Sequence, residues 1–127
     1  MIDHVSVAVR DLARAGTFYE RVLGTLGYAK LAERPTTIGF GKRYPEFWIN
    51  LRPDMPRDPD SGMHVALRAT SVEAVDAFHA AALAAGATND GPPGPRSYTN
   101  GAVYAAFVRD PDGNRLEVLT FTAVDGG

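Results

Sequence analysis

The sequence predicts an α+β fold in which a βαβββ unit occurs twice, and three observations support this prediction. When the chain is shifted by 60 positions, His4 falls on His64, Phe18 on Phe78 and Leu23 on Leu83. Each copy begins with a short β-branched and apolar run, which predicts a strand, and continues with a segment of helical periodicity. Further strand-like runs separated by turn residues follow each helix. A unit of about 60 residues is marginally stable alone, so we expect 1–127 to form a single domain.

The first unit spans about 1–53 and contains one predicted helix. Asp11 is a good N-cap for this helix, which places its apolar residues on one stripe that should pack against a sheet. The predicted elements are a strand over 2–9, the helix over about 12–26, and strands over 28–33, 36–41 and 47–52.

The second unit spans about 62–122 and follows a proline-rich linker over 54–61. Ser71 takes the N-cap place that Asp11 holds in the first unit. The predicted elements are a strand over 63–67, a helix over about 72–85, a weak strand over 87–90, a long loop over 91–101, and strands over 102–108 and 115–121. We expect the loop, which carries Arg96, Tyr98 and Asn100, to cover a binding cavity.

Composition restricts the chemistry and the partners. The formal net charge is -2 and no run of basic residues occurs, so nucleic acid is not expected as a partner. The chain has no cysteine, so a metal would have to be bound by imidazole, carboxylate or carbonyl groups. No segment is long and apolar enough to span a bilayer and the N-terminus lacks secretory features, so we expect a cytoplasmic protein without membrane partners.

Strand alternation places several polar side chains on the face opposite the helices. The two histidines occupy equivalent strand positions in the two units, and Glu117 lies on the corresponding face of the last strand. Two imidazoles and one carboxylate suit Fe(II), Mn(II), Zn(II), Ni(II) or Co(II). The predicted cavity face carries His4, Asn50, His64, Tyr104 and Glu117.

Each of these residues also has a structural interpretation. A single strand histidine is more often a structural residue than a ligand. Glu117 would be costly to bury as an ion, so it could instead pair with Arg68 or Arg115. Trp48 and Tyr104 could be ordinary core aromatics.

The repeat, the ligand spacing and the closing motif DPDGNRLEV at 110–118 resemble the vicinal oxygen chelate superfamily. This superfamily includes glyoxalase I, extradiol dioxygenases, fosfomycin-resistance transferases and bleomycin-resistance proteins, and the resemblance covers nearly the whole chain. It implies two βαβββ modules that form a barrel-like cleft, usually within a homodimer. The metal in such a cleft polarises two adjacent substrate oxygens.

The resemblance carries the metal-ligand roles to His4, His64 and Glu117. The fourth-strand glutamate of bacterial glyoxalase I is matched by Asn50, which cannot act as a general base, and this weakens an isomerase assignment. Tyr104 resembles the tyrosine that assists catechol chemistry in the dioxygenases. The additional histidine base of those enzymes has only His79 as a candidate, and that residue is expected on a helix surface. The 91–101 loop lacks the potassium-binding and phosphonate-binding pattern of the transferases.

We therefore expect a metal-dependent enzyme of the glyoxalase and dioxygenase type that acts on a small, oxygen-rich, anionic substrate. Tyr104 and Asn50 are the predicted catalytic residues. The predicted substrate-binding residues are Trp48, Arg52, Arg68 and Tyr104, with Arg115 as a further candidate for offsetting substrate charge. The alternatives are a small-molecule binder without catalysis, like the bleomycin-resistance proteins, and an interaction module with a vestigial cavity.

Overall fold

The computed structural model describes residues 1–56, 60–98 and 101–122 and contains two four-stranded sheets, each covered by one helix. The predicted α+β class is confirmed. In chain order the elements are β1 (Val5–Val9), α1 (Leu12–Gly24), β2 (Ala29–Glu33), β3 (Thr37–Gly41), β4 (Pro45–Leu51), β5 (Val65–Arg68), α2 (Val72–Ala84), β6 (Thr88–Tyr98), β7 (Gly101–Arg109) and β8 (Arg115–Phe121). Three residues of the predicted linker, 57–59, lie outside the described ranges.

Both sheets have the same topology. The strand orders are β1-β4-β3-β2 and β5-β8-β7-β6, and in each sheet the first and last strands of the unit pair in parallel. The remaining neighbours are antiparallel. Thus β1 and β5, the strands that follow His4 and His64, both lie at sheet edges.

The helices begin where the capping residues predict. The Asp11 side chain accepts a hydrogen bond from the Arg14 amide, and the Ser71 hydroxyl accepts one from the Ala74 amide. The apolar stripe of each helix packs against the sheet of its own unit, and the two helices also contact each other. No helix in the described ranges has the length and hydropathy to cross a membrane.

The predicted loop over 91–101 is wrong, because β6 continues to Tyr98. Proline cannot donate a ladder hydrogen bond, so a segment with three prolines is unlike an ordinary strand. However, β6 is an edge strand that pairs only with β7, and its register shifts between Asn89 and Gly94. An irregular edge strand tolerates proline. Asn100, the third predicted loop residue of interest, lies outside the described residues.

His79 is also placed differently from its prediction. It is 8% exposed rather than a surface residue, and its Nε2 lies 2.9 Å from the Asn89 side-chain oxygen. The contact joins α2 to β6 on the helix side of the second sheet. His79 therefore lies on the opposite side of that sheet from Glu117 and is not placed to act as a base beside it.

The turn before β8 docks the second unit onto the first. Asp110 is 3% exposed and its side chain accepts hydrogen bonds from the Tyr19 hydroxyl and from the amides of Asp112 and Asn114. The Asn114 side chain donates to the Ala8 carbonyl of β1 at 2.8 Å. Burial raises the pKa of Asp110, and burial together with the Asp110 charge raises the pKa of Tyr19 well above its usual value.

Removing the Tyr19 hydroxyl should destabilise the protein. Tyr19→Phe removes one of the two side-chain donors to the buried Asp110 Oδ2 and leaves only the Asn114 amide, and we expect a loss of about 1–3 kcal/mol in the free energy of unfolding. Urea denaturation at neutral pH measures it. Tyr44→Phe is the control, since Tyr44 is 53% exposed and should change stability by less than about 0.5 kcal/mol. Equal effects of the two substitutions would show that the Tyr19–Asp110 bond does not stabilise the junction.

Candidate metal centre

The open face of the second sheet holds a histidine–glutamate pair. Glu117 on β8 is in register with Ala66 on β5, and His64 lies two residues before Ala66 along the chain. Their side chains meet with His64 Nε2 at 3.2 Å from Glu117 Oε1. Glu117 is 5% exposed, so its carboxylate is held in a largely buried place rather than at the surface.

The hydrogen bonding of His64 fits a cation at this pair. His64 Nδ1 lies 3.1 Å from the Gly62 carbonyl oxygen, which can only accept, so Nδ1 carries the proton. In a neutral imidazole Nε2 is then a lone-pair acceptor, and it faces a carboxylate oxygen that is also an acceptor. The contact is satisfied either by a hydrogen on Nε2 or by a cation that both atoms bind. An Nδ1–H bond to a carbonyl is also the usual way in which a metal-binding histidine is oriented.

Two aromatic residues contact the pair, and both belong to strands on the β7–β6 side of Glu117. The Phe107 ring meets the His64 ring nearly edge-on, with centroids 6.0 Å apart and an interplanar angle of 63°. The Tyr98 hydroxyl donates to Glu117 Oε2 at 3.0 Å. Burial, followed by the bond to Glu117, raises the pKa of Tyr98, so the phenol keeps its proton at neutral pH.

The contact between Tyr98 and Glu117 is not predicted from the sequence. The segment 91–101 has the composition of a loop, and the side-chain directions of a loop cannot be obtained from alternation. Once 88–98 is a strand, alternation places Arg96 and Tyr98 on one face, together with Phe107 of β7.

The arginines near the pair are mostly engaged elsewhere. Arg115 Nε donates to Asp90 at 2.7 Å, and Arg96 donates to the carbonyls of Gly94 and Ala105. Glu117 therefore bonds to His64 and Tyr98 and not to Arg115, which was one alternative for it.

Arg68 is the more available guanidinium on this face. It is exposed, it lies over the Phe121 ring at 4.8 Å, and it makes no ion pair with another described residue. It is in register with Leu119, two positions beyond Glu117 on β8, and so lies on the same face as the carboxylate.

The predicted placement of Tyr104 on the cavity face is wrong. Its hydroxyl donates to Asp76 of α2 at 2.7 Å, and this bond is the main cause of its raised pKa. The register explains the orientation. Ala106 lies two residues after Tyr104 on the same face of β7, and it is opposite Val118, which is buried on the helix side of the sheet. Alternate residues of β7 are apolar or aromatic on both faces, so composition could not fix the phase of this strand.

Asn50 and Ser6 are neutral polar groups on the open face of the first sheet. Asn50 Nδ2 donates to the Ser6 hydroxyl at 2.7 Å and to the Val7 carbonyl at 3.1 Å, which leaves its side-chain oxygen as the free group. Arg52 follows β4, is exposed, and donates to the Leu51 carbonyl at 2.8 Å. Arg52 thus lies at the end of this face rather than beside its centre.

Trp48 forms an aromatic wall on the same face and is not a core residue. It is half-buried, its ring packs over Gly39, and the Arg34 guanidinium lies 5.1 Å from the ring centroid. Register also makes Trp48, rather than Asn50, the counterpart of Glu117. Ser6 and Ala66 are equivalent in the repeat, and they are opposite Trp48 and Glu117 respectively. The first unit thus has no carboxylate at position 48 or at position 50, the two candidates for the place equivalent to Glu117.

His4 lies apart from the pair. It precedes β1, its side chain is 52% exposed, and its Nδ1 is 2.7 Å from Asp3 Oδ1. Within residues 1–56, 60–98 and 101–122 of one chain, no three His, Asp or Glu side chains converge as a metal-binding group. A single chain therefore brings together two of the three predicted ligands, because β1 and β5 belong to separate sheets.

Fold and site together define a protein of paired βαβββ units whose second sheet presents, on its open face, an exposed histidine beside a buried glutamate. The chain belongs to the Glyoxalase/Bleomycin resistance protein/Dioxygenase superfamily, whose family model matches residues 1–118. The family resemblance of the sequence is thereby confirmed.

Three relatives illustrate this membership. Metallothiol transferase FosB of Shouchella clausii (strain KSM-K16) is 30% identical over 131 residues, which cover 98% of this chain and 82% of that protein. A glyoxalase/bleomycin resistance protein from Albidiferax ferrireducens T118 is 37% identical, with a TM-score of 0.82 and coverage of 93% of this chain and 97% of that one. The fosfomycin resistance protein FosX from Listeria monocytogenes is 19% identical with a TM-score of 0.71, covers 97% of this chain and 94% of its own, and so shares the fold.

Gly39→Ala should displace the Trp48 ring. A Cβ at Gly39 would lie 2.9 Å from both the Trp48 ring and Pro45 Cβ, closer than real Cβ contacts allow. Trp48 is the single tryptophan, so we expect a shift of its fluorescence maximum and a loss of stability of about 1–3 kcal/mol. Gly24→Ala is the control, because a Cβ there meets nothing within 4 Å. An unchanged emission spectrum in Gly39→Ala would contradict the placement of the ring.

Proposed function

We propose that this protein is a metal-dependent enzyme that acts on a small, oxygen-rich, anionic substrate through two adjacent oxygens. The observation that carries the proposal is the pair itself. His64 Nε2 and Glu117 Oε1 lie 3.2 Å apart, and the residue that carries the carboxylate is 5% exposed. A divalent cation would satisfy both, and a nitrogen and oxygen donor set suits Fe, Mn, Zn, Ni or Co. The cation would supply Lewis acidity toward the substrate oxygens.

We propose that the third ligand is His4 of the partner subunit in a homodimer. His4 and His64 precede equivalent edge strands, and each sheet of one chain has a face that its helix does not cover, which carries Asn50 in the first sheet and Glu117 in the second. Each open face is half of a cleft, so the first sheet of one chain can cover the second sheet of another. A two-fold arrangement of this kind forms two identical clefts per dimer. A cleft shared between two chains would explain why a single chain does not bring all three proposed ligands together.

The residues of the two faces then have distinct roles. From the first sheet, Trp48 supplies an apolar wall, and the Asn50 side-chain oxygen is free to accept a hydrogen bond from substrate or water. From the second sheet, Arg68 offers a guanidinium to the substrate charge. Tyr104 is not part of this proposal, because it faces α2. A cytoplasmic location, as expected from the sequence, belongs to the proposal.

Group transfer is the reaction class to test first. Isomerisation of the glyoxalase I type needs a carboxylate base on β4, and both Trp48 and Asn50 lack one. The tyrosine matched to the dioxygenases points away from the pair. The relative that is 30% identical is named a metallothiol transferase, which favours thiol transfer as the first reaction to test.

The dimer proposal predicts complementation between two inactive variants. His4→Ala and Glu117→Ala should each lose stoichiometric Mn(II), measured by equilibrium dialysis and elemental analysis. After subunit exchange, about half of the dimers should be mixed, and each mixed dimer should regain one intact site. Mixing His64→Ala with Glu117→Ala is the matched control and should restore nothing, since both changes damage the same half of the site.

Other outcomes would decide between the alternatives. Wild-type protein that binds no divalent metal would favour a small-molecule binder without catalysis. Wild-type protein that binds metal, with no recovery in the first mixture, would place the third ligand elsewhere and overturn the shared site.

Arg68→Gln should weaken binding of a small anionic chelator. With the Mn(II)-loaded protein and oxalate as the probe, calorimetry should show affinity reduced about ten-fold or more, because a hydrogen bond to a charged group contributes about 1.5–3 kcal/mol. Arg52→Gln is the matched control, since Arg52 lies beyond β4 at the end of the other face and should change the affinity less than two-fold. Equal losses in both variants would indicate general charge attraction instead of recognition by Arg68.

A further inference from the structure

We infer that Tyr98 is a positioning residue that holds Glu117 so that only one carboxylate oxygen is presented to a metal. The inference rests on the proposed function, because it concerns the geometry of the proposed metal ligand. It assigns a role to a residue of β6 whose hydroxyl donates a hydrogen bond to Glu117.

The two oxygens of Glu117 have different partners. Oε1 faces His64 Nε2 at 3.2 Å, and Oε2 accepts the Tyr98 hydroxyl hydrogen at 3.0 Å. A carboxylate that is 5% exposed has little access to water, so the phenol is a principal donor to Oε2. The Tyr98 bond therefore fixes the rotation of the carboxylate as well as stabilising its charge.

The constraint acts across the sheet. Tyr98 lies on β6 and Glu117 on β8, with β7 between them, so the tyrosine reaches over the middle strand. At the end of β6 its register partner on β7 is Gly101, which has no side chain to block the ring. The placement of Tyr98 thus depends on β6 continuing as a strand through its proline-rich part.

Single-oxygen binding has a consequence for substrate. A carboxylate that binds a metal through both oxygens would occupy two coordination positions of that metal. A carboxylate whose Oε2 is held by a hydrogen bond would occupy only one position, through Oε1. The Tyr98 bond would therefore keep a position open for a substrate that itself binds through two oxygens. Loss of the hydroxyl would free the carboxylate to bind through both.

Tyr104 provides a matched comparison on the same sheet. Each tyrosine hydroxyl donates to a carboxylate, Tyr98 to Glu117 at 3.0 Å and Tyr104 to Asp76 at 2.7 Å. The two bonds lie on opposite faces of the sheet. Tyr98→Phe and Tyr104→Phe hence remove the same atom from comparable hydrogen bonds, and only the first should alter the metal centre.

The test is a Co(II) titration of the full-length protein and the two variants, followed by visible absorption. Tyr98→Phe should bind Co(II) about 10–100-fold more weakly, the range for loss of an outer-shell partner, and should show changed band positions and intensities. Tyr104→Phe should match the wild type in both. Replacing Tyr98 with 4-aminophenylalanine keeps a donor on the same ring and should restore most of the wild-type spectrum.

The failures are distinguishable. If the wild type binds Co(II) and Tyr98→Phe gives the same affinity and spectrum, the role of Tyr98 is overturned while the proposed function stands. That role is likewise overturned if Tyr98→Phe and Tyr104→Phe change the affinity equally, or if 4-aminophenylalanine restores nothing. If the wild type binds no Co(II), the proposed function fails and the inference fails with it. Circular dichroism establishes that each variant is folded.

Discussion

The site depends on the parallel pairing of the first and last strands of each unit. In the second unit this pairing sets Ala66 of β5 opposite Glu117 of β8, which brings the carboxylate beside the histidine that precedes β5. In the first unit the same pairing sets Ser6 opposite Trp48. Parallel neighbours require a crossover, and the helix and two intervening strands of each unit provide it. The helix and the two intervening strands of each unit therefore keep its first and last strands in the register that forms the site.

Much of the fold could be predicted because its determinants are local. The helix starts follow from Asp11 and Ser71, whose side chains accept the expected amide hydrogen bonds. The faces of β5 and β8 follow from alternation, since their apolar and polar residues differ clearly. The equivalence of His4 and His64 follows from the 60-residue shift, which the identical strand orders reproduce.

The errors arise where local composition is ambiguous. In β7 both faces carry apolar or aromatic residues, so only the pairing with β8 reveals that Tyr104 faces α2. In β6 the prolines contradict strand propensity, and only the edge position of the strand makes them acceptable. Local sequence patterns could not supply the register with a neighbouring strand in either case. The contact of Tyr98 with Glu117 could not be predicted for the same reason.

The two units have diverged in charge, and this divergence suits an anionic substrate. At equivalent places the second unit has Glu117 and the first has Trp48, with neutral Asn50 and Ser6 nearby. A second carboxylate in the cleft would lower the net positive charge of a bound divalent cation and repel an anion. With one carboxylate, a divalent cation keeps excess positive charge, and Arg68 adds to it on the same face. The repeat thus places one half with a carboxylate and one half without a carboxylate at the equivalent place on opposite sides of the proposed cleft, so the anion would meet a single negative group already neutralised by the metal.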